Sequence, residues 1–287
     1  MSDVPRLTAI NRFPVKSCRG EAVHSAIVEP WGLRGDRRWM VVDDEGTVIT
    51  AREANRLVLV HPEITVEGLR LTAPDLPVLE VATPDPGTQT PVALWSSRLD
   101  AVPAGPEADA WLGKVLGRPA RLVHLDDPLK RPTNPEFGEP HDRVSFADGY
   151  PVLLATEESL AALNDVVVAA SETGREPLPM TRFRPNVVVS GVEPWAEDDW
   201  RRVRIGDAVF RAVKGCDRCV LTTIDPDTAV REKEPIRTLA KIRRWDGVTW
   251  FGINLVPDTY GATIRVGDDV EVLDDVAPGA GPVRPSR

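Results

Sequence analysis

Two of the chain's three cysteines, Cys216 and Cys219, stand at C-x-x-C spacing within Gly215-Cys216-Asp217-Arg218-Cys219. The run Val220-Leu221-Thr222-Thr223-Ile224 follows, closed by Asp225-Pro226-Asp227-Thr228, and its β-branched composition predicts a strand. A thiol at the mouth of a strand is held rigidly and can serve as a soft metal ligand or a nucleophile. A structural zinc site takes four ligands, often two such pairs. Cys18 is the one other thiol, and His24, His61, His124 and His141 lack H-x-x-x-H-type spacing, which argues against zinc. A thioredoxin-like pair needs its motif at a helix N-terminus, whereas strand-prone residues follow here. The bland alternative is a pair of small buried residues that never react. It carries more weight for Cys216 than for Cys219, because Arg218 beside Cys219 can support a thiolate.

Other segments offer groups that grip anions. Phe13-Pro14-Val15-Lys16-Ser17-Cys18-Arg19-Gly20 supplies an ammonium, a hydroxyl and backbone N–H groups of the kind that hold a phosphate; alone it also fits a solvated loop. Arg34-Gly35-Asp36-Arg37-Arg38-Trp39 can bind an anion by forked hydrogen bonds, or blunt a strand edge. In Arg182-Phe183-Arg184-Pro185-Asn186, Pro185 predicts an extended Arg184, and the Asn186 amide can read a heterocycle or satisfy a turn. Asp148-Gly149-Tyr150-Pro151 and Trp250-Phe251-Gly252-Ile253-Asn254 mark turns or strand ends whose backbone can face a ligand. No P-loop, G-x-G-x-x-G, H-E-x-x-H or G-x-S-x-G occurs, so nucleotide, zincin and serine-hydrolase chemistry lack support.

These residues must be positioned by a chain of 287 residues with 42% hydrophobic content and a formal net charge of −9. The balance excludes a general nucleic-acid footprint. No apolar run approaches the ~20 residues that span a bilayer, and the N-terminus has no secretory pattern. Three cysteines make no disulfide framework, so a reducing, cytoplasmic setting is expected.

Short strands separated by turns fill residues 1–105: Leu7–Phe13, Ala22–Val28, a hairpin through Asp43–Gly46, a second through Glu67-Gly68, then Val78–Val81 and Val92–Trp95. They predict an antiparallel β domain. Val102–Pro106 marks a join to a second domain over 106–275, opening with a helix from Glu107 to Leu116 and a strand from Ala120 to Leu125. The proline-rich stretch 126–142 is long for a loop and suggests a substrate-gating lid or disorder. Thr156 caps a helix through Val167. Gly206-Asp207 and Gly267-Asp268 predict two hairpins, and Pro235–Trp245 an amphipathic helix with Leu239 and Ile242 inward. Residues 276–287 read as a disordered tail. The fold class is α+β, mainly β, with a barrel or sandwich favoured over a parallel sheet.

Taken in order, Phe-Pro-Val-Lys-Ser-Cys (Phe13–Cys18), Asp-Arg-x-Trp (Asp36–Trp39), Thr-Ala-Arg (Thr50–Arg52), Phe-Arg-Pro-Asn (Phe183–Asn186) and Cys-x-Arg-Cys-x-Leu-Thr-Thr-x-Asp-Pro-Asp-Thr (Cys216–Thr228) resemble the MOSC family, and within it the amidoxime-reducing group. The resemblance spans about residues 5–274 and implies an N-terminal β domain followed by a MOSC β-barrel with a few helices. It implies a molybdenum cofactor (molybdopterin) with Cys219 as the protein ligand to molybdenum and as the catalytic residue. Lys16, Ser17, Arg37 and Arg184 would hold its phosphate and pterin, with further contacts from Asp148, Gly149, Tyr150, Asn186, Asp217, Arg218 and Asn254. The implied reaction reduces N-hydroxylated compounds to the amine or amidine and water. A cofactor carrier or sulfur-transfer protein without turnover of its own, and a scaffold that has lost the cofactor, are the competing functions. Two departures from the family pattern matter. Some bacterial relatives carry a C-terminal [2Fe–2S] domain, but no cysteine follows Cys219; electrons would come from a separate ferredoxin or flavin reductase. Ala229 stands where the family usually has glycine.

Overall fold

The computed structural model describes residues 4–171, 174 and 176–284. It is mainly β, with three α-helices among the described residues. The largest sheet runs in the order Val270–Asp275, Trp200–Ile205, Ala208–Asp217, Val248–Pro257, Val152–Thr156, Val187–Ser190, Arg6–Arg12 and Glu21–Val23, with Arg244–Trp245 beside Val248–Pro257. Its neighbours are antiparallel except Val152–Thr156 against Val187–Ser190, and the helix Glu157–Ala169 lies between those two in sequence. A parallel pair needs such a crossover.

Alternation sets the faces. Trp200, Val203 and Ile205 are buried while Arg202 and Arg204 point out, so the strand has one wet face. It turns into Ala208–Asp217 through Gly206, whose φ is 54°; a two-residue hairpin needs that left-handed conformation. Leu7, Ile10, Val28, Leu154, Val187, Phe210, Leu255 and Ile264 pack into one core. A second core, built on Trp39, Leu57, Leu69, Trp111, Leu112 and Leu122, lies under the helix Pro106–Leu116 and a three-stranded meander over residues 61–82. Among the described residues no helix is long and apolar enough to cross a membrane.

Several expectations need correction. The Ala22–Val28 strand breaks at His24: Glu21–Val23 joins Arg6–Arg12, while Ser25–Glu29 pairs with Thr263–Arg265. Sheet pairing continues past the expected join at Val102–Pro106, since Val102 faces His124 and Pro103 faces Val123. Gly267-Asp268 closes no hairpin. Thr263–Arg265 and Val270–Asp275 pair with different strands, and the turn is pinned by reciprocal bonds with Leu7 (2.9 and 2.7 Å). The last helix is shorter than expected, Ile236–Ile242, and Ile242 is exposed. An Asp246-Gly247 turn with both φ positive folds Arg244–Trp245 back onto Val248–Pro257. The segment 126–142 is an ordered wall. Buried Arg131 donates to the carbonyls of Ser145, Ala147 and Asp148, and buried Asp142 accepts from Arg211 (2.8 Å). Residues 276–284 are likewise held: Asp199 accepts from the N–H groups of Gly279 and Gly281 (2.7 and 2.8 Å), and Gly215 N–H donates to Val283 (2.9 Å). Residues 285–287 of the expected disordered tail lie outside the described residues.

Two predictions follow from this scaffold. Ala229 sits at φ 58°, which costs a non-glycine residue roughly 1–2 kcal/mol against the smaller entropic cost of glycine. Ala229→Gly is therefore expected to raise stability by about 0.5–1 kcal/mol, read as a higher denaturant midpoint with unchanged slope. Glu197 is fully buried and accepts a hydrogen bond from Ser159 Oγ at 2.8 Å, with Thr156 Oγ1 3.1 Å away. Burial and neighbouring Asp198 push its carboxyl up to about 7. A raised folded-state value favours the protonated form. Its stabilisation is complete below the ordinary glutamate range and is lost as pH rises through 7. Denaturation should cost about 2–3 kcal/mol less at pH 8.5 than at pH 4.5 from this group alone, and Glu197→Gln should flatten that slope.

Candidate functional site

Phe13–Cys18 and Asp36–Trp39 zip together through Arg37 N–H to Phe13 O (2.8 Å), Trp39 N–H to Pro14 O (3.0 Å) and Lys16 N–H to Trp39 O (2.8 Å). Buried Asp36 accepts from Phe13 N–H (2.8 Å) and from Arg37 Nη1 (2.6 Å). Arg37 and Arg184 both stack on the Phe13 ring, their guanidinium carbons 4.4 and 4.2 Å from its centroid. Arg184 also donates to Cys18 O (2.6 Å). It is not extended before Pro185, as expected, but left-handed at φ 56°; the short helix Met180–Arg182 turns the chain back on itself at this point.

Asn186 is fully buried. Its amide oxygen accepts from Arg37 (2.8 Å) and Leu153 N–H (3.2 Å), and its amide nitrogen donates to Asn11 O (3.2 Å). Those bonds orient Arg37 and use the amide oxygen and one amide N–H of Asn186.

Lys16, nearly buried, donates to Phe146 O (2.8 Å) and Asp148 (2.5 Å). Asp148 also accepts from Arg52 (2.9 Å) and Trp95 Nε1 (3.3 Å). Burial pulls Lys16 down to about 8, with Asp148 opposing. Burial and the Arg37 charge pull Arg184 down to about 9. The Lys16 and Arg52 charges hold the half-exposed Asp148 carboxyl far below its usual range.

The cysteine loop leaves the strand Ala208–Asp217. Gly215 is required there, since a Cβ would come within 2.8 Å of Pro282 and of Trp250, and its carbonyl accepts from Asn254 (3.2 Å). Asp217 is paired with Lys214 (2.7 Å). Arg218 does not turn to Cys219 as expected. It donates to Cys216 Sγ (2.9 Å) and Phe183 O (2.6 Å), bracing the loop. Burial pushes the Cys216 thiol up, Arg218 opposing. Val220–Thr223 is a short 3-10 helix, not the expected strand, and the Cys219 carbonyl anchors it by accepting from Thr222. Its β-branched residues serve a single turn whose Thr222 and Thr223 hydroxyls bond back three residues, a known competitor of extended structure. Cys18 is fully buried, and burial pushes its thiol up to about 12, so it stays protonated and inert.

Lys16, Arg37, Arg184, Asn186, Asp148, Cys216, Asp217, Arg218, Cys219 and Asn254 border one cavity of about 670 Å³, together with Ser17, Gly149 and Tyr150, a volume suited to a small organic ligand. Seven cationic and two acidic side chains line it, in a chain that is acidic overall. Four of the eight non-glycine residues with positive φ among the described residues, Ser17, Arg37, Trp95 and Arg184, lie on its wall. Such strain concentrates at functional sites. Arg52, Trp95, Arg131 and Lys214 also line it and were not among the candidates. For Arg52 the Thr-Ala-Arg motif held the signal; for Arg131 it was the long proline-rich segment.

Residues 4–119 match the model of the MOSC N-terminal beta barrel domain, and residues 141–271 that of the MOSC domain. The chain is 36% identical over 282 residues to the mitochondrial amidoxime-reducing component 1 of Homo sapiens, covering 91% of this chain and 81% of that protein. It is 32% identical over 277 residues to mitochondrial amidoxime reducing component 2 of the same species (90% and 80%). It is 30% identical over 270 residues to the molybdenum cofactor sulfurase of Oryza sativa subsp. japonica, covering 89% of this chain but 33% of that protein. With both domain types in succession and relatives of this identity along most of its length, the chain belongs to the MOSC family.

Proposed function

We propose that this protein binds a molybdenum cofactor in the cation-walled cavity, with Cys219 as the protein ligand to molybdenum, and reduces N-hydroxylated compounds to the amine or amidine and water. The observation that carries this reading is the opening of Cys219 onto the same cavity as Lys16, Arg37 and Arg184. The donor set fits the cofactor. Buried cations depress one another's proton affinity, and a bound phosphate relieves that repulsion. Among the described residues no group of three or more His, Cys, Asp or Glu could hold a metal, so one thiolate suits a metal that brings its own ligands. The names of the relatives support the same cofactor and the same substrate class.

When bound, the cofactor supplies two-electron oxygen-atom-transfer chemistry. The chain supplies the rest. Lys16, Ser17, Arg37 and Arg184 anchor the phosphate end, and Asp148, Gly149, Tyr150, Asp217, Arg218 and Asn254 frame the remainder. Arg218 braces Cys216 and Phe183 so that Cys219 keeps its position. Two electrons reach the site from a separate ferredoxin or flavin reductase, and two protons accompany them for each water released.

Elemental analysis should find about one molybdenum per chain by the one-thiolate reading, little or none in Cys219→Ala, and near-normal content in Cys216→Ala. Equal loss in both variants would overturn the assignment of Cys219. Holoprotein supplied with a reduced donor should convert benzamidoxime to benzamidine. Molybdenum bound without conversion by any donor would instead establish a carrier.

A further inference from the structure

Three aromatic side chains line the cavity, and only one offers a ring to a ligand. Phe183 is fully buried and stacks on Phe251 at 4.0 Å. Tyr150 is buried and packs edge-on against Phe137. Trp95 keeps 43% of its surface open. It occupies the first turn position of the two-residue hairpin closed by Leu94 and Ser97, at φ 54°. Glycine or asparagine fills such a position easily, and a bulky residue does not. The ring is nearly half open, so part of its surface is free to meet a ligand.

The ring is nevertheless held in one orientation. Its Nε1–H donates to Asp148 at 3.3 Å, the Arg52 guanidinium carbon lies 4.6 Å from its centroid, and Lys16 Nζ lies 5.7 Å away. A side chain fixed beforehand loses little freedom when a ligand arrives. What an immobilised, half-open indole presents is a flat π surface, which selects flat partners.

Building on the reductase reading above, we propose that Trp95 is a specificity-determining residue: its ring stacks on the planar, conjugated part of the N-hydroxylated substrate, so that aryl compounds are preferred to aliphatic ones with the same head group.

The test compares benzamidoxime with acetamidoxime on the molybdenum-loaded protein, by calorimetric binding and by KM, in wild type, Trp95→Gly and Trp95→Phe. Trp95→Gly exchanges backbone strain for the ring's contacts with Asp148 and Arg52; it should stay folded by circular dichroism and retain molybdenum. It should weaken benzamidoxime binding and raise its KM by about threefold to tenfold, leaving acetamidoxime within about twofold by the same scale. Trp95→Phe should keep most of the aryl preference. Unchanged benzamidoxime binding in Trp95→Gly, an equal loss for both compounds, no binding by wild type, or loss of molybdenum from Trp95→Gly would each overturn the proposal, the last by assigning the ring to the cofactor. If wild type binds benzamidoxime with this dependence on Trp95 but no donor supports turnover, the reductase reading fails and the stacking role stands.

Discussion

The site depends on keeping two guanidinium groups apart on one phenyl ring. Arg37 and Arg184 are both drawn to Phe13, and each repels the other. A cation over a ring is worth about 0.5–2 kcal/mol, more as water is excluded, which does not by itself offset the cost of burying charge. The remainder comes from fixed acceptors: Asp36 and the Asn186 oxygen for Arg37, the Cys18 carbonyl for Arg184. These acceptors belong to elements far apart in sequence. The positive wall therefore exists only when the first strand, the Asp36–Trp39 segment and the strand after Asn186 have all assembled.

The sheet order explains how they meet. Arg6–Arg12 pairs with Val187–Ser190, and the two strands border the loops that carry Lys16 and Arg184. Val187–Ser190 then lies beside Val152–Thr156, which lies beside Val248–Pro257, which lies beside Ala208–Asp217. Neighbouring strands in one sheet bring the cation loops and the cysteine loop to a common cavity. The tail adds a brace from behind, with Pro282 against Gly215 and Val283 accepting its N–H. A loop so constrained holds a thiol at a fixed place with little reorganisation.

Motif order made the family and most candidate site residues legible in the sequence, because glycine, proline and charged residues at set spacing report local geometry. Four kinds of feature were not legible. Partner choice in a sheet is non-local: Gly267-Asp268 has the composition of a hairpin turn, yet the strands on its two sides find partners elsewhere. Left-handed arginine at 184 contradicts the local influence of Pro185 and is held by tertiary bonds to Cys18 and Phe13. Residues 276–284 lack the apolar content that marks a packed segment, and they are held by polar bonds to distant residues: the Asp199 carboxylate accepts from Gly279 and Gly281, Arg201 donates to Gly281 O, and Gly215 N–H donates to Val283. Trp95 was passed over as the end of a strand because its exposure at the cavity wall depends on a hairpin tip that composition alone does not orient.

Asp148 gives the cavity its balance. It is the shared acceptor for Lys16, Arg52 and Trp95, and its side chain remains 57% exposed at the wall. An anion entering the cavity meets cations that already have a partner, so its gain is the difference between its own contacts and those of Asp148, not the full attraction of free charges. A trianionic or dianionic group can win that exchange, since each of its oxygens accepts from a separate donor. A monoanion in solution gains little over the carboxylate already there. The same carboxylate that keeps Lys16 and Arg52 ordered also holds the Trp95 indole, so the cationic and aromatic parts of the cavity wall share one anchor.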